Sequence, residues 1–210
     1  GDSGSTAISF YSGSTTRHIK VINNDISTLR PAISLNADDI LIKGNVIDRW
    51  TSDGITGMSG DDIIIENNVI MNVIDNPGAH HDLIQDSTAT LNRLVLRNNK
   101  GYQRTSTHPG FATVTQGYSG FDGVCNDCLI ENNLAIVDHN WGLTWNSMHN
   151  SIVRNNVVYG CLSNVPTPIS ISGTNNIIKN NIAGNSVGAD NIRINACNNE
   201  GNAYFVDPQN

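Results

Sequence analysis

The stretch Asp62-Ile63-Ile64-Ile65-Glu66-Asn67-Asn68-Val69-Ile70 constrains this chain most, because the chain spells it seven times. A short apolar run is followed by a polar residue, an Asn and a second apolar pair. The other copies occupy residues 19–24, 40–45, 94–99, 129–133, 152–156 and 177–181. Taking Asn24, Asn45, Asn68, Asn99, Asn133, Asn156 and Asn181 as register marks, the steps are 21, 23, 31, 34, 23 and 25 residues. Self-similarity at such a period predicts a solenoid, in which each repeat buries its apolar face only against its neighbours. Replacing Ile64 by Asp is expected to unfold its coil, since the middle of the Ile63 to Ile65 run is read as core.

A second apolar segment precedes each Asn-bearing one. It reads Ala7-Ile8-Ser9-Phe10, Ala32-Ile33-Ser34-Leu35, Gly54-Ile55-Thr56-Gly57, Leu83-Ile84-Gln85-Asp86, Thr113-Val114-Thr115-Gln116, Gly142-Leu143-Thr144-Trp145 and Pro168-Ile169-Ser170-Ile171. Alternation at period two places Ile8, Ile33, Ile55, Ile84, Val114, Leu143 and Ile169 inside. It places Ser9, Ser34, Thr56, Gln85, Thr115, Thr144 and Ser170 in water. Leu83 and Asp86 sit badly in this frame, because it turns an aliphatic residue out and an acid in. Each coil then runs strand, turn, strand, Asn turn, strand and connection, giving three parallel sheets with coils about 4.8 Å apart. Asn suits the corner because it tolerates the left-handed conformation and its amide can bond the next coil.

Composition agrees with strands and turns, with charged residues at 15% and hydrophobic residues at 38%. A net charge of -7 with 12 Lys and Arg excludes the basic footprint of a nucleic-acid partner. No apolar run approaches the roughly 18–20 residues of a membrane span. Gly1-Asp2-Ser3-Gly4-Ser5 is not a signal peptide. Because Ala7 to Phe10 already reads as a coil strand and solenoids need end caps, residues 1–210 are expected to be one domain cut at both ends from a larger chain. Cys125, Cys128, Cys161 and Cys197 contain a single CxxC, too little for a structural zinc site. They are read first as thiols in the strand ladders, with a disulfide as the alternative.

This pattern resembles the right-handed parallel β-helix of the pectate-lyase-like superfamily over essentially the whole chain. The resemblance implies an all-β fold of about seven to eight coils with three parallel sheets. It implies a polysaccharide or glycan partner held beside the first strands, and a chain working outside the cell or on a virion or cell surface. It covers lyases and glycoside hydrolases, and equally non-catalytic tailspike-like proteins and adhesins. A homo-oligomer, a trimer in particular, is compatible with it. The lyase chemistry it suggests calls for a cationic base, yet no Arg lies on a first strand. Arg49 and Arg104, on groove-side connections, are the nearest.

The long steps concentrate extra residues at 72–81, 100–111 and 117–122, which marks the middle of the chain as the binding face. There Asp53 and Asp82 occupy equivalent positions on adjacent coils. Two carboxylates so close cannot both ionise freely. They are candidate acid and nucleophile or base of a glycosidase, or a metal site. No cofactor is required, and Ca2+ is the ion such a pair would take. His80 and His81 adjoin them as candidate acid–base groups. No HxxxH or HExxH spacing points to zinc. Gln85, Thr115, His139, Arg104 and the sugar-stacking Trp50 and Trp141 complete the candidate glycan contacts. Trp145 falls on the inward parity.

Overall fold

The computed structural model describes residues 6–11, 17–27, 30–76, 78–103, 115–163, 165–186 and 189–194. The chain forms a parallel β-helix: three sheets whose neighbouring strands come from successive coils, with no helix among the described residues. Sheet A carries the first strands (Ile8–Tyr11, Ile33–Asn36, Asp53–Asp61, Asp82–Asn92, Gln116–Gly120, Leu143–His149, Pro168–Thr174 and Asn185–Ser186). Sheet B holds the strands before the Asn turn, from Ile19–Ile22 to Ile177–Lys179. Sheet C holds those after it, from Asp25–Ile26 to Ile192–Arg193. The seven strands of sheet B match the seven copies of the repeat, so each copy is one coil.

The Asn turn divides its work between two residues. The first, at Asn23, Asn67, Asn98, Asn132, Asn155 and Asn180, takes a left-handed φ of 56–58°, and Gly44 does so at 66° in the remaining coil. The second Asn is the rung of a ladder. Asn99 Oδ1 accepts from Asn68 N and Nδ2 at 3.0 Å, while Asn99 Nδ2 donates to Ile65 O at 2.9 Å and Asn133 Oδ1 at 3.0 Å. The same bonds recur from Asn24 to Asn181. They continue to Asn191, whose Oδ1 accepts from Asn181, one rung beyond the seven that the repeat marks. Buried amides are tolerated because every donor and acceptor is matched.

Packing follows the pleat. Ile40, Ile42, Ile63, Ile65, Leu96, Ile130 and Val153 point inward from sheet B and are buried. Ile64, expected inside, faces outward and is half-buried, in register with Leu41 and Val95. Because the run of three is odd, its ends share the core face and its middle residue cannot. Trp145 is fully buried, on the parity the sequence gives it.

Sheet A departs from expectation at one coil. The segment 113–116 is read from sequence as a first strand, but the strand is Gln116–Gly120, with Tyr118 in the Ile84 and Leu143 column. Residues 117–120 are therefore ladder and not insertion. Lys100–Gln103 is likewise a strand, of sheet C. Val114 lies outside the described residues. The conflict at Leu83 resolves by a break in the alternation. Leu83 and Ile84 are both fully buried, so alternation breaks between them and returns Asp82 and Gln85 to the same side. Gly54 occupies the Leu83 position one coil earlier; a Cβ there would come within 2.6 Å of Leu83 O and 2.7 Å of an Ile70 methyl.

The cysteines among the described residues are not thiols. Cys125 and Cys128 form a disulfide, Cys161 is also disulfide-bonded, and no free cysteine remains among the described residues.

Candidate functional site

Sheet A carries its acids where its first strands begin. Asp53 and Asp82 are in direct register, and Gln116 continues the column on the next coil. The residue order D-x-I is the same at 53–55 and 82–84, and it fixes both acids one residue ahead of a buried pair. Asp82 N donates to Asp53 Oδ1 at 3.2 Å, and Ser119 Oγ donates to Asp82 Oδ1 at 2.6 Å. Burial, reinforced by the charge of Asp82, pushes the Asp53 carboxyl up to about 7.

His80 and His81, adjacent in sequence, go to different places. His80 is half exposed and its Nδ1 lies 2.8 Å from Asp82 Oδ2, an ionic contact not aligned as a hydrogen bond. Its Nε2 meets the Gln116 side-chain amide. Proximity to Asp82 raises the His80 pKa, against the opposing effect of burial. His81 is buried, with Nδ1 3.4 Å from Ser52 O and Nε2 3.9 Å from Asp75, and burial lowers its pKa. It fixes the connection and does not join the cluster. Consecutive residues leaving a loop point to opposite sides, which is why only one reaches the acids.

The other candidates separate in the same way. Gln85 is half-buried, in register with Ser119. Thr115 is not in that column. It lies buried just before its strand, and Ser119 takes the place expected of it. Trp50 is fully buried and donates from Nε1 to Met71 O at 3.1 Å, so it is core and not a sugar platform. Trp141 is 42% exposed and meets Phe121 edge to face at 5.3 Å between centroids. His139 is half-buried, accepts from Trp141 N at 3.1 Å, and is depressed by burial while feeling the charges of Asp82 and His80. Arg104 lies outside the described residues, and Arg49 is turned to Asp48 at 3.0 Å.

Sequence reasoning misses Gln116 and Ser119, because both depend on a strand placed four residues late. It also misses what Asp86 does. That carboxyl is buried against the backbone N–H groups of Asp122 and Gly123, at 3.5 and 3.2 Å, and burial raises it to about 7. Its signal was visible as an acid at an inward position.

Among the described residues, five buried side-chain atoms lack a hydrogen-bond partner: Asp82 Oδ2, Thr115 Oγ1, Gln116 Oε1, Thr144 Oγ1 and Trp145 Nε1. They fall in three consecutive coils, with Asp82, Gln116, Thr144 and Trp145 on sheet A strands and Thr115 immediately before one. Buried polar groups are ordinarily satisfied, so a cluster of exceptions marks a place built for something polar to complete. Asp53, His80 and Asp82 each bring one ligating atom within 4.8 Å of the others. Comparison with protein-family profiles, curated proteins and solved structures finds no match for this chain.

Proposed function

We propose that this solenoid recognises a polysaccharide along the outer face of sheet A and cleaves its glycosidic bonds at Asp53, His80 and Asp82. The observation that carries the reading is the group of unpaired buried polar atoms around Asp82. Sugar hydroxyls both donate and accept, and they would meet this polar cluster through His80, its exposed member. The resemblance to the pectate-lyase-like superfamily supports the same face. Asp82 is fully buried, so it acts by orienting and charging His80, which is the group exposed to substrate. Trp141, with Phe121 behind it, offers an exposed ring for stacking against sugar. The disulfides favour work outside the cell or on a virion or cell surface.

The exposed Trp141 also favours a second reading, a non-catalytic tailspike-like or adhesin segment, with or without trimer formation. A panel of neutral and acidic polysaccharides separates the two. Shortening of chains that is lost in Asp53→Asn and Asp82→Asn is the expected result. Binding without shortening, lost in Trp141→Ala and retained in both Asp variants, would replace cleavage by adhesion.

A further inference from the structure

We propose that Asp53, His80 and Asp82 bind one divalent transition-metal ion, of the Zn2+ or Mn2+ class. Asp82 is the deepest member of the cluster. Its carboxylate is fully buried; Oδ1 is held by Ser119, while Oδ2 has no hydrogen-bond partner and faces His80 Nδ1 at 2.8 Å. A buried anionic oxygen in this state calls for a cation, which is either a proton on His80 Nδ1 or a metal ion held between the two. The adjacent Asp53 brings a second carboxylate to the same point.

The other side of the imidazole decides which atom is the ligand. His80 Nε2 meets the Gln116 amide, whose Oε1 is buried and unpaired. Turning that amide by half a rotation lets Nε2–H donate to Oε1, which satisfies the orphaned oxygen and fixes the tautomer. In the neutral imidazole, the form that binds a metal, the lone pair of Nδ1 then points at the carboxylates. A lone pair facing two anionic oxygens is repulsive, and a cation between them turns the repulsion into coordination. A ligating histidine whose second N–H is held by a carbonyl is a common supporting arrangement around a metal. Here Ser119, Gln116 and the backbone N–H of Asp82 each hold one of the three ligands.

The donor set selects the ion. Ca2+ takes six to eight oxygen ligands, and a nitrogen among three protein donors suits it poorly. One imidazole and two carboxylates suit Zn2+ or Mn2+, with the remaining positions left for water or a sugar hydroxyl. The absence of a zinc spacing motif in the sequence is no objection. The ligands come from two coils and a connection, and their proximity is set by the solenoid step. The inference uses the same side chains as the proposed cleavage but does not depend on it, because binding is measured without any glycan.

The test is calorimetric titration of the chelator-treated protein with Zn2+, Mn2+ and Ca2+, together with nitrogen couplings in the electron paramagnetic resonance of bound Mn2+. One equivalent of Zn2+ or Mn2+ should bind and raise the melting temperature, with a nitrogen coupling present. Affinity should fall at least tenfold in His80→Ala and Asp82→Asn, and more modestly in Gln116→Leu. Circular dichroism confirms that each variant is folded. No saturable binding, binding unchanged in both His80→Ala and Asp82→Asn, or preference for Ca2+ with no nitrogen coupling would each overturn the proposal. Metal binding without glycan cleavage would uphold it and sink only the enzyme reading.

Discussion

Two regions of this solenoid bury polar side chains, and they do so to opposite ends. At the Asn corner, each amide repeats the same bonds coil after coil, as Asn99 does with Asn68, Ile65 and Asn133. In and beside sheet A, Asp82, Thr115, Gln116, Thr144 and Trp145 each bury a polar atom that has no hydrogen-bond partner in the described chain. Both regions stack residues at one coil spacing. What differs is repetition: identical side chains satisfy one another along a ladder, while the side chains of Asp53, Asp82 and Gln116, stacked in one column, do not. On this periodic scaffold the candidate site is the place where satisfaction fails.

The largest test of this contrast is Asn99→Ala. It leaves Asn68 N without its partner and takes one bond each from Asn68 Nδ2, which keeps Ile42 O, and from Ile65 O, and should cost about 3–5 kcal/mol: roughly 1–3 kcal/mol for the stranded amide and about 1 kcal/mol for each lost bond. Urea denaturation measures it, and a loss under about 1 kcal/mol would show the ladder to be incidental. Next comes the pair Ile65→Ala and Ile64→Ala. The first removes core and should cost about 2–4 kcal/mol, the second less than about 1 kcal/mol, reversing the order expected from the repeat alone. Equal losses would refute the assignment of the outward face.

Asp82→Asn should go the other way. It removes a buried charge while keeping an acceptor for Ser119, so without metal or glycan it should stabilise the fold by about 1 kcal/mol in thermal melts. The same variant should lose cleavage, and a destabilised variant would mean that Asp82 is scaffold. A further test is a pH dependence from Asp86. Its carboxyl is raised in the fold, so the folded state holds the proton more tightly than the unfolded chain does. The stability it contributes is full below the ordinary carboxyl pKa and declines as pH rises toward about 7. Asp86→Asn should flatten that decline in melting temperatures taken from acid to neutral pH; an unchanged slope would place its origin elsewhere.

Most of the fold was legible in the residues. The Asn register, the three strands per coil and the alignment of Asp53 with Asp82 all follow from repetition, and the structure keeps them. The errors fall where repetition weakens. Gln116–Gly120 carries Tyr where its neighbours carry Ile or Leu, so the apolar Val114 drew the strand four residues early. Trp50 precedes the strand as a loop residue would, yet Met71 O offers its indole a buried partner. Cys125 and Cys128 looked like two ladder thiols because a single CxxC carries no information on whether its sulfurs meet.

The sequence by itself determined the period, and with it the solenoid, because stacking like residues on like residues satisfies the core and the corner at once. The tertiary structure alone decided which side chains converge. Whether Leu83 and Ile84 both turn inward, whether His80 or His81 faces Asp82, and whether Gln116 closes over the imidazole depend on a break in the pleat and on one connection. Those are set by packing against other coils, such as the crowding of Gly54 by Leu83 and Ile70. A period of two can state the face of a residue in an unbroken strand. At the break, it cannot.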